Sequence, residues 1–385
     1  MTGRRDRGSG RLVVKEFGQI ESVNLTFGDL TVLVGAQGTG KSLSLQWLKA
    51  VLDGKHVARA LTGAGYLIDS PRTLVDLFFG VGMGAALTDD TSIEWNGTKV
   101  APASIPRRGR DVEQVFFIPA HRSTLISNGW AQPFQNLSDE TPMVARLFSQ
   151  RLFELFSARG NSVLFPADRV LKRQIRELID DAVFHSGRVL MEQDQHKNRL
   201  RLAHGDMELP FMTWTAGQRE FTPLLLGLYH LLPSTKLTKR DGIDWVVIEE
   251  PEMGLHPKAV SAVFVLMLEL IWRGYKVVVS THSAHLLTAM WALNELRGSG
   301  ARWQLLLEGL GIGGRALRPV AEAGLAATCQ VHLLSYDDDY RVRSKDISTL
   351  DPESDDELVS DWGGLTGVSD ELMDAVARAV NEKAA

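Results

Sequence analysis

Short apolar runs bounded by turn residues recur along the chain and predict β-strands. Residues 30–34 (LTVLV) are almost wholly apolar, which is typical of a strand buried on both faces. Asn96 and Gly97 stand between alternating residues and predict a hairpin within residues 92–100. A second hairpin is predicted within residues 329–348. The other predicted strands cover residues 11–17, 22–27, 112–118, 188–193, 199–203, 208–211, 243–248 and 276–280.

Longer segments with apolar residues three to four positions apart predict helices. Residues 243–280 have the pattern strand, helix, strand, and a helix of this length between two strands predicts a parallel crossover. Residues 123–187 are helical by pattern and are interpreted as an insertion. The predicted helices cover residues 43–51, 71–79, 143–158, 168–184, 218–232, 258–272 and 370–382.

Composition narrows the class of protein. A chain of 385 residues with 44% apolar and 23% charged residues can bury one large domain with an insertion, or two domains. The net charge of −5 means that nucleic-acid binding would need a local basic patch. The lone Cys329 suits a reducing cytoplasm, where we expect the protein. The basic first eleven residues lack the apolar core of a secretory signal, and the longest apolar stretch, 260–272, is too short to span a bilayer.

A glycine-rich loop carries the strongest chemical signal. Residues 35–42 (GAQGTGKS) match G-x-x-x-x-G-K-[ST] at every fixed position, between a predicted buried strand and a predicted helix. Glycines let main-chain N–H groups turn toward an anion, Lys41 reaches the β- and γ-phosphates, and the Ser42 hydroxyl binds Mg²⁺. The predicted nucleotide-binding residues are Gly35, Ala36, Gln37, Gly38, Thr39, Gly40, Lys41 and Ser42.

Two acids end the predicted strand 243–248. Glu249 and Glu250 are expected at the carboxyl edge of the sheet, where open α/β sheets bind ligands. One acid can hold the Mg²⁺ shell and the next can polarise the attacking water. By itself, an acidic pair after a strand is a solvated strand end about as often as it is a functional site. The phosphate loop in the same chain favours the functional interpretation.

Two helix-opening segments complete the set. Thr215, Ala216, Gly217 and Gln218 begin a predicted helix, whose N-terminus is either an anion site or an ordinary helix start with Thr215 as its N-cap. His282 follows the predicted strand 276–280, beside the acidic strand. This position favours a contact with the γ-phosphate over a purely structural role.

Along the chain, the order is the phosphate loop, the segment 215–218, the acidic pair and then His282. In that order, the four segments resemble the head of an ABC-type ATPase, a superfamily that includes SMC, DNA-repair and OLD-type ATPases. Residues 249–257 (EEPEMGLHP) are similar to the EPExHLHP segment of OLD-like ATPases. The resemblance implies an α/β fold, a P-loop NTPase of the ABC-ATPase head type with an N-terminal antiparallel β subdomain and a helical insertion. It implies that residues 1–122 and 188–385 form the two parts of the head and that residues 123–187 form the insertion.

The resemblance also implies a role for each site residue. Lys41, Glu250 and His282 form the catalytic set, with Glu250 as base and His282 as switch histidine, and Ser42 and Glu249 hold the metal. The signature is Thr215, Ala216, Gly217 and Gln218, which in this superfamily caps the γ-phosphate bound by a second head.

The chain departs from the family pattern at three positions and leaves one motif unassigned. Glu249 stands where the family usually has Asp, and Thr215 and Ala216 stand where it has Ser and Gly. The family's glutamine loop has no clear counterpart. Gln114 fits it poorly, and residues 119–122 (PAHR) occupy the expected edge of the site.

Residues 216–233, 249–257 and 345–367 together look like the ATPase subunits of two-component phage-defence systems, of which PARIS-like systems are the most similar type. This resemblance implies ATP and Mg²⁺ as cofactors, a homo-oligomer of two or more copies, a separate effector that is most readily a nuclease, and a phage-encoded trigger. The implied role is a sensor or scaffold that controls a toxic effector. Two alternatives stay open: an SMC-like repair ATPase that clamps nucleic acid itself, and a nucleotide-gated scaffold with negligible turnover.

Two charged clusters have simpler explanations. Residues 337–339 (DDD) invite comparison with a Toprim nuclease but lie between strand-like runs, so we predict a hairpin turn. Four basic residues share one face of the predicted helix 168–184. This face is either solvated or binds an acidic protein or nucleic acid. The unfavourable position of the four charges in the helix dipole favours binding. The four residues are Arg169, Lys172, Arg173 and Arg176.

Overall fold

The computed structural model describes residues 10–160, 162–167, 170–194, 197–233 and 239–365, together with residue 376. The predicted C-terminal helix, residues 370–382, lies outside the described residues except for Val376, and Arg169 lies outside them too. Among the described residues, no helix combines the length and hydrophobicity that crossing a bilayer would require.

The strands follow one another along the chain with the following bounds: β1 (Gly10–Phe17), β2 (Ile20–Phe27), β3 (Leu30–Val34), β4 (Leu87–Trp95), β5 (Thr98–Lys99), β6 (Val115–Ile118), β7 (Ile126–Ser127), β8 (Trp130–Ala131), β9 (Ser162–Phe165), β10 (Arg188–Asp194), β11 (Lys197–His204), β12 (Met207–Pro210), β13 (Trp245–Glu249), β14 (Lys276–Ser280), β15 (Cys329–Tyr336) and β16 (Val342–Asp346).

The α-helices have these bounds: α1 (Lys41–Gly63), α2 (Pro71–Phe79), α3 (Met143–Ala158), α4 (Arg173–Ile179), α5 (Ala216–Leu231), α6 (Pro257–Arg273), α7 (Ala284–Gly298), α8 (Trp303–Gly309), α9 (Arg318–Leu325) and α10 (Glu357–Ser360).

One mixed sheet organises the described part of the chain, in the order β5-β4-β1-β2-β16-β15-β3-β14-β13-β6. Strands β6, β13, β14, β3 and β15 run parallel, which confirms the predicted crossover from β13 through α6 to β14. Strands β1, β2, β4 and β5 pair antiparallel and confirm the N-terminal antiparallel β subdomain. Because parallel strands end at the same edge, the segments after β3, β13 and β14 meet there.

The parallel half of the sheet is buried on both faces. In β3, Val32 and Val34 join one hydrophobic cluster, and Leu33, between them, joins the other. Helix α6 packs into the first cluster along most of its length, and Trp47 of α1 lies in the second. This explains why residues 30–34 are apolar at nearly every position.

The segment 123–187 differs from the purely helical prediction, because it also contains β7, β8 and β9. Phe148 of α3 and Ile175 of α4 lie in the same hydrophobic cluster as Ile118 at the end of β6. Strand β9 joins β10, β11 and β12 in a second, antiparallel sheet. The segment therefore shares a continuous core with the large sheet.

The predicted helix 168–184 is wrong at its start. Helix α4 begins only at Arg173, and Lys172 before it has extended backbone angles, φ −59° and ψ 144°. The ammonium of Lys172 pairs with the carboxylate of Glu269 in α6 at 2.5 Å. A π-helical turn, Asp180–Phe184, continues the chain after α4.

Candidate functional site

The phosphate-loop backbone has the shape that its glycines allow. Gly35, Gly38 and Gly40 have φ angles of 143°, 79° and 75°, a region that side chains avoid. A Cβ on Gly35 would lie 2.1 Å from the main-chain oxygen of Leu334 in β15, so only glycine lets the loop pass this strand. Sequence and packing thus require the same loop geometry.

Lys41 lies at the centre of this loop. Its buried ammonium donates hydrogen bonds to the main-chain oxygens of Gly35 and Ala36, each at 2.8 Å. Burial lowers the pKa of Lys41 to about 8, and the nearby carboxylates of Glu250 and Glu252 oppose this shift. The cation is therefore held where the loop backbone turns, near the acids that follow β13.

Glu249 ends β13 with a buried carboxyl group. Its Oε2 accepts a hydrogen bond from the Ala120 amide at 3.2 Å, whereas its buried Oε1 has no hydrogen-bond partner. Burial raises the pKa of Glu249, and the nearby Ser42 hydroxyl opposes that rise. A carboxylate oxygen free of other partners, beside the loop's serine, is a suitable ligand for a hard divalent cation.

The donor set fits Mg²⁺ in particular. Among the described residues, no group of three or more His, Cys, Asp or Glu side chains is placed to hold a metal. Mg²⁺ commonly takes only one or two protein ligands and fills its shell with phosphate oxygens and water. Ser42 and Glu249 fit that pattern.

Glu250 has an unusual backbone conformation, with φ 40°. Its amide donates to the main-chain oxygen of Ser280 in β14 at 2.9 Å, and its Oε1 lies 3.7 Å from Nε2 of His282. Burial, followed by the Lys41 charge, lowers the pKa of His282, against the opposing effect of Glu250 and Glu252. The imidazole is therefore mainly neutral at pH 7 and faces a carboxylate that is partly exposed.

Glu252 belongs to this group, although the sequence did not single it out. Its Oε1 accepts hydrogen bonds from the Thr281 hydroxyl at 2.7 Å and from the His282 amide at 2.6 Å. Its buried Oε2 has no partner. Glu252, which follows Glu249 and Glu250, therefore holds the backbone at Thr281 and His282 in place.

Arg122 is a second residue that the sequence did not assign. It is fully buried and donates hydrogen bonds to four main-chain oxygens. The acceptors are Glu249 at 2.7 Å, Pro119 at 3.1 Å, Glu250 at 3.2 Å and Glu220 at 3.3 Å. The sequence signal for Arg122 is its position in the PAHR segment directly after β6. A fully buried arginine is rare unless it is paired, which is consistent with its four hydrogen bonds.

The same arginine reaches the signature helix. The Glu220 carboxylate of α5 lies 3.8 Å from Nε of Arg122 and also accepts hydrogen bonds from the Ser123 hydroxyl and amide. The start of α5 and the ends of β6 and β13 are thus joined by one buried charged network.

The signature residues occupy the exposed start of α5. Thr215 and Gln218 form a reciprocal capping box, with both hydrogen bonds at 3.3 Å, which confirms Thr215 as the N-cap. Thr215 and Ala216 are exposed. A Cβ on Gly217 would lie 2.6 Å from the main-chain oxygen of Gly254, so α5 packs closely on the loop after the acids.

The structure brings together Lys41, Ser42, Glu249, Glu250 and His282 at the edge predicted from the sequence. The signature helix α5 is linked to the same acids through Glu220 and Arg122, and Thr215 and Ala216 at its start are exposed.

The described members of the basic group do not share one helical face as the sequence predicts, because Lys172 precedes the start of α4. Lys172 pairs with Glu269, Arg173 pairs with Glu177 at 2.6 Å, and Arg176 donates to the main-chain oxygen of Ala167 at 3.5 Å. The fourth residue, Arg169, lies outside the described residues. The three described side chains are therefore engaged within the chain.

The hairpin prediction for residues 337–339 is confirmed. Oδ1 of Asp337 accepts hydrogen bonds from the amides of Asp339 at 3.0 Å and Arg341 at 2.9 Å, between β15 and β16.

Parts of the chain are similar to known proteins. Residues 127–288 match a family described as "AAA domain, putative AbiEii toxin, Type IV TA system". The Old nuclease of Escherichia phage P2 is 42% identical over 52 residues, which make up 14% of this chain and 9% of that protein. The chain thus aligns with less than a tenth of the length of this relative.

Two solved structures are similar over most of the chain. The Smc head bound to the C-winged helix domain of ScpA has 12% identity and a TM-score of 0.44, covering 88% of this chain and 97% of the other. The SMC head domain from Thermotoga maritima has 13% identity and a TM-score of 0.36, covering 88% and 98%.

The chain combines a phosphate loop after β3, two acids at the end of β13 and a histidine after β14, all at one edge of a parallel sheet. The matched family covers the acids and the histidine. The chain has the α/β fold of a P-loop NTPase, and parts of it are similar to this AAA domain family and to the Old nuclease of Escherichia phage P2.

Proposed function

We propose that the chain binds ATP with Mg²⁺ at the phosphate loop and hydrolyses it, with Glu250 as the general base. The convergence of Lys41, Ser42, Glu249, Glu250 and His282 at one sheet edge supports the proposal most directly. The sequence pattern predicts a phosphate, metal or proton-transfer role for each of these residues, and their common position at this edge supports one shared triphosphate site.

The phosphate loop supplies binding and orientation. Loop amides and the Lys41 ammonium surround the β- and γ-phosphates, whose negative charge replaces the loop carbonyls as the partner of Lys41. Ser42 and Oε1 of Glu249 would hold Mg²⁺, which would supply positive charge to the phosphate oxygens. Because Glu249 is buried, the attraction between its carboxylate and Mg²⁺ would act in a low dielectric, where it is strong.

Glu250 supplies proton transfer. Its carboxylate is partly exposed and can accept a proton from a water placed in line with the γ-phosphate. The neutral His282 beside it donates through one ring nitrogen to a γ-phosphate oxygen, and Glu252 holds its backbone in place.

Two copies complete the site. Thr215 and Ala216 are exposed at the positive end of α5, which is suited to a phosphate bound by another copy. A two-fold arrangement in which each signature meets the other copy's phosphate loop makes two equivalent sites.

We also propose that nucleotide state controls a separate toxic effector, most readily a nuclease, in anti-phage defence, in response to a phage-encoded trigger. The similarity to a family that includes a putative toxin of a toxin–antitoxin system, and to the Old nuclease of a phage, supports this role. Direct clamping of nucleic acid has less support, because Lys172 pairs with the buried Glu269 and the net charge is −5.

Calorimetric titration of ATP with Mg²⁺ tests the nucleotide site. Lys41→Ala removes the loop cation and should abolish binding. Lys55→Ala, a matched control in the same helix whose side chain is 44% exposed, should bind as the wild type does. Equal binding by wild type and Lys41→Ala would contradict the proposed site.

Co-purification tests the effector role. The chain and the product of the neighbouring gene are expressed together, as wild type and as Lys41→Ala, before and during phage challenge. Association should depend on nucleotide state, since switching an effector between mostly free and mostly bound needs a difference of about 5.5 kcal/mol. Protection by this chain alone, without an associated neighbour, would contradict the effector role and favour direct action on nucleic acid.

A further inference from the structure

The hairpin between β15 and β16 lies directly against the phosphate loop. The Tyr336 hydroxyl donates a hydrogen bond to the main-chain oxygen of Gly38 at 2.9 Å. Gln19, in the turn between β1 and β2, donates to the same oxygen at 2.8 Å. Two turns from distant parts of the chain therefore meet one peptide of the phosphate loop.

Two aromatic rings project from this hairpin. Tyr336 and Tyr340 are 41% and 81% exposed, and their ring centroids are 6.5 Å apart at an interplanar angle of 57°. Exposed aromatic faces next to a ligand site are available to stack on a planar group.

The hairpin is held firmly. The Tyr340 amide donates to the main-chain oxygen of Asp337 at 3.1 Å, and the Asp337 amide donates to that of Arg341 at 2.8 Å. Arg343 lies 3.4 Å from Asp337, and Arg341 pairs with Glu16 at 2.7 Å. The exposure of Tyr340 is therefore set by a well-bonded turn.

Charge decides which part of a nucleotide meets this hairpin. Asp338 and Asp339 are exposed at its tip, and their carboxylates would repel phosphate groups. Lys41 instead attracts the phosphates on the other side of the loop. Carboxylates next to aromatic rings suit the uncharged end of a nucleotide, where ribose hydroxyls donate hydrogen bonds and the base offers a π face.

We propose that the Tyr340 ring, supported by Tyr336, forms a stacking platform for the purine base of the nucleotide bound at the phosphate loop, with Asp338 and Asp339 facing its ribose. This inference rests on the proposed nucleotide site and adds recognition of the nucleoside to it. Tyr336 ties the platform to the loop, and Tyr340 supplies the more open ring face.

The experiment compares ATP with inorganic tripolyphosphate, which carries the phosphates without a nucleoside. Dissociation constants for both, each with Mg²⁺, are measured for wild type, Tyr340→Ala and Tyr340→Phe. Tyr340→Ala should weaken ATP binding about ten-fold and change tripolyphosphate binding by less than about two-fold, whereas Tyr340→Phe keeps the ring and should match the wild type. Met207→Ala, which alters a residue 59% exposed on β12, is the control and should change neither constant.

The outcomes are distinguishable. An unchanged ratio of the two dissociation constants in Tyr340→Ala would overturn the platform. If binding of both ligands weakened equally, the substitution would have damaged the loop, and the platform would be overturned too. A change confined to the association of copies would also overturn it and assign the ring to a contact between copies. Wild-type protein that binds neither ligand would instead contradict the proposed nucleotide site itself.

Discussion

Nη2 of Arg122 donates a hydrogen bond to the main-chain oxygen of Glu250 at 3.2 Å. Glu250 has a φ of 40°, a left-handed conformation that costs a non-glycine residue about 1 kcal/mol or more. Arg122 on one side and Ser280 on the other bond this peptide in place. The position of the proposed base is therefore set by a buried arginine that also contacts Glu220 in the signature helix.

Replacing Arg122 by lysine tests this positioning role. The ammonium group of a lysine would keep the charge but lose the fork that bonds several carbonyls at once. We expect Arg122→Lys to bind ATP with a nearly unchanged dissociation constant and to hydrolyse it about ten- to hundred-fold more slowly, because the base is displaced. Calorimetry and phosphate release measure the two effects.

Arg146 provides the matched control. It is also fully buried, but it packs on Phe134 and bonds to Tyr66. Arg146→Lys should lower the melting temperature without a specific loss of turnover. Equal losses of turnover in the two variants, at equal losses of stability, would reduce Arg122 to a structural residue.

The exposed start of α5 offers a test of assembly between copies. Ala216→Asp places a carboxylate against the other copy's phosphate, so turnover should collapse while ATP binding by one copy survives. Gly217 is a poorer choice, because any side chain there would meet Gly254 of the same chain at 2.6 Å.

Mixing distinguishes sites shared between copies from sites within one copy. In a dimer of Ala216→Asp with Glu250→Gln, one shared site keeps both a normal signature and a normal base. Random exchange of equal amounts should restore about a quarter of wild-type turnover. No recovery despite demonstrated exchange would show that signature and base act within the same chain.

His230 predicts an acid dependence of stability. Its ring stacks on Phe116, and burial, with the charges of Arg151 and Arg240, lowers its pKa to about 3 against the effect of Glu113. Below pH 6.5 the unfolded chain takes up a proton that the folded chain refuses, so stability falls as the pH falls. The loss from this group is about 2 kcal/mol at pH 5.

His230→Phe isolates that contribution. Denaturant unfolding at pH 7.5 and pH 5 should show a smaller loss of free energy in the variant than in the wild type, by about 2 kcal/mol. The same pH dependence in both proteins would mean that the ring is already protonated or solvated in the fold.

Local patterns predicted much of this architecture. The bounds of β3, α2, α3 and β14 agree with the predictions for residues 30–34, 71–79, 143–158 and 276–280. These elements have a clear period or a clear start, such as Ser70, whose side chain accepts from the Thr73 amide before Pro71 opens α2.

The remaining features depend on contacts between distant segments. Arg122 bonds to carbonyl groups about 100 residues or more away in sequence, and such acceptors leave no trace in a local pattern. Glu252 is one of three acids within four residues, and only its contacts with Thr281 and His282 separate its role from that of Glu250. The pairing of Lys172 with Glu269 likewise lies beyond what helical spacing can reveal.

The most direct measurement is phosphate release by wild type and Glu250→Gln under conditions where calorimetry shows both proteins saturated with ATP and Mg²⁺. The amide cannot accept a proton from the attacking water, so the variant should bind ATP like the wild type and release phosphate at least about a hundred-fold more slowly. Normal turnover in Glu250→Gln would contradict its assignment as the base and transfer that role to Glu249. No phosphate release by the wild type itself, alone or in its assembly, would contradict ATP hydrolysis and leave a scaffold that responds to bound nucleotide.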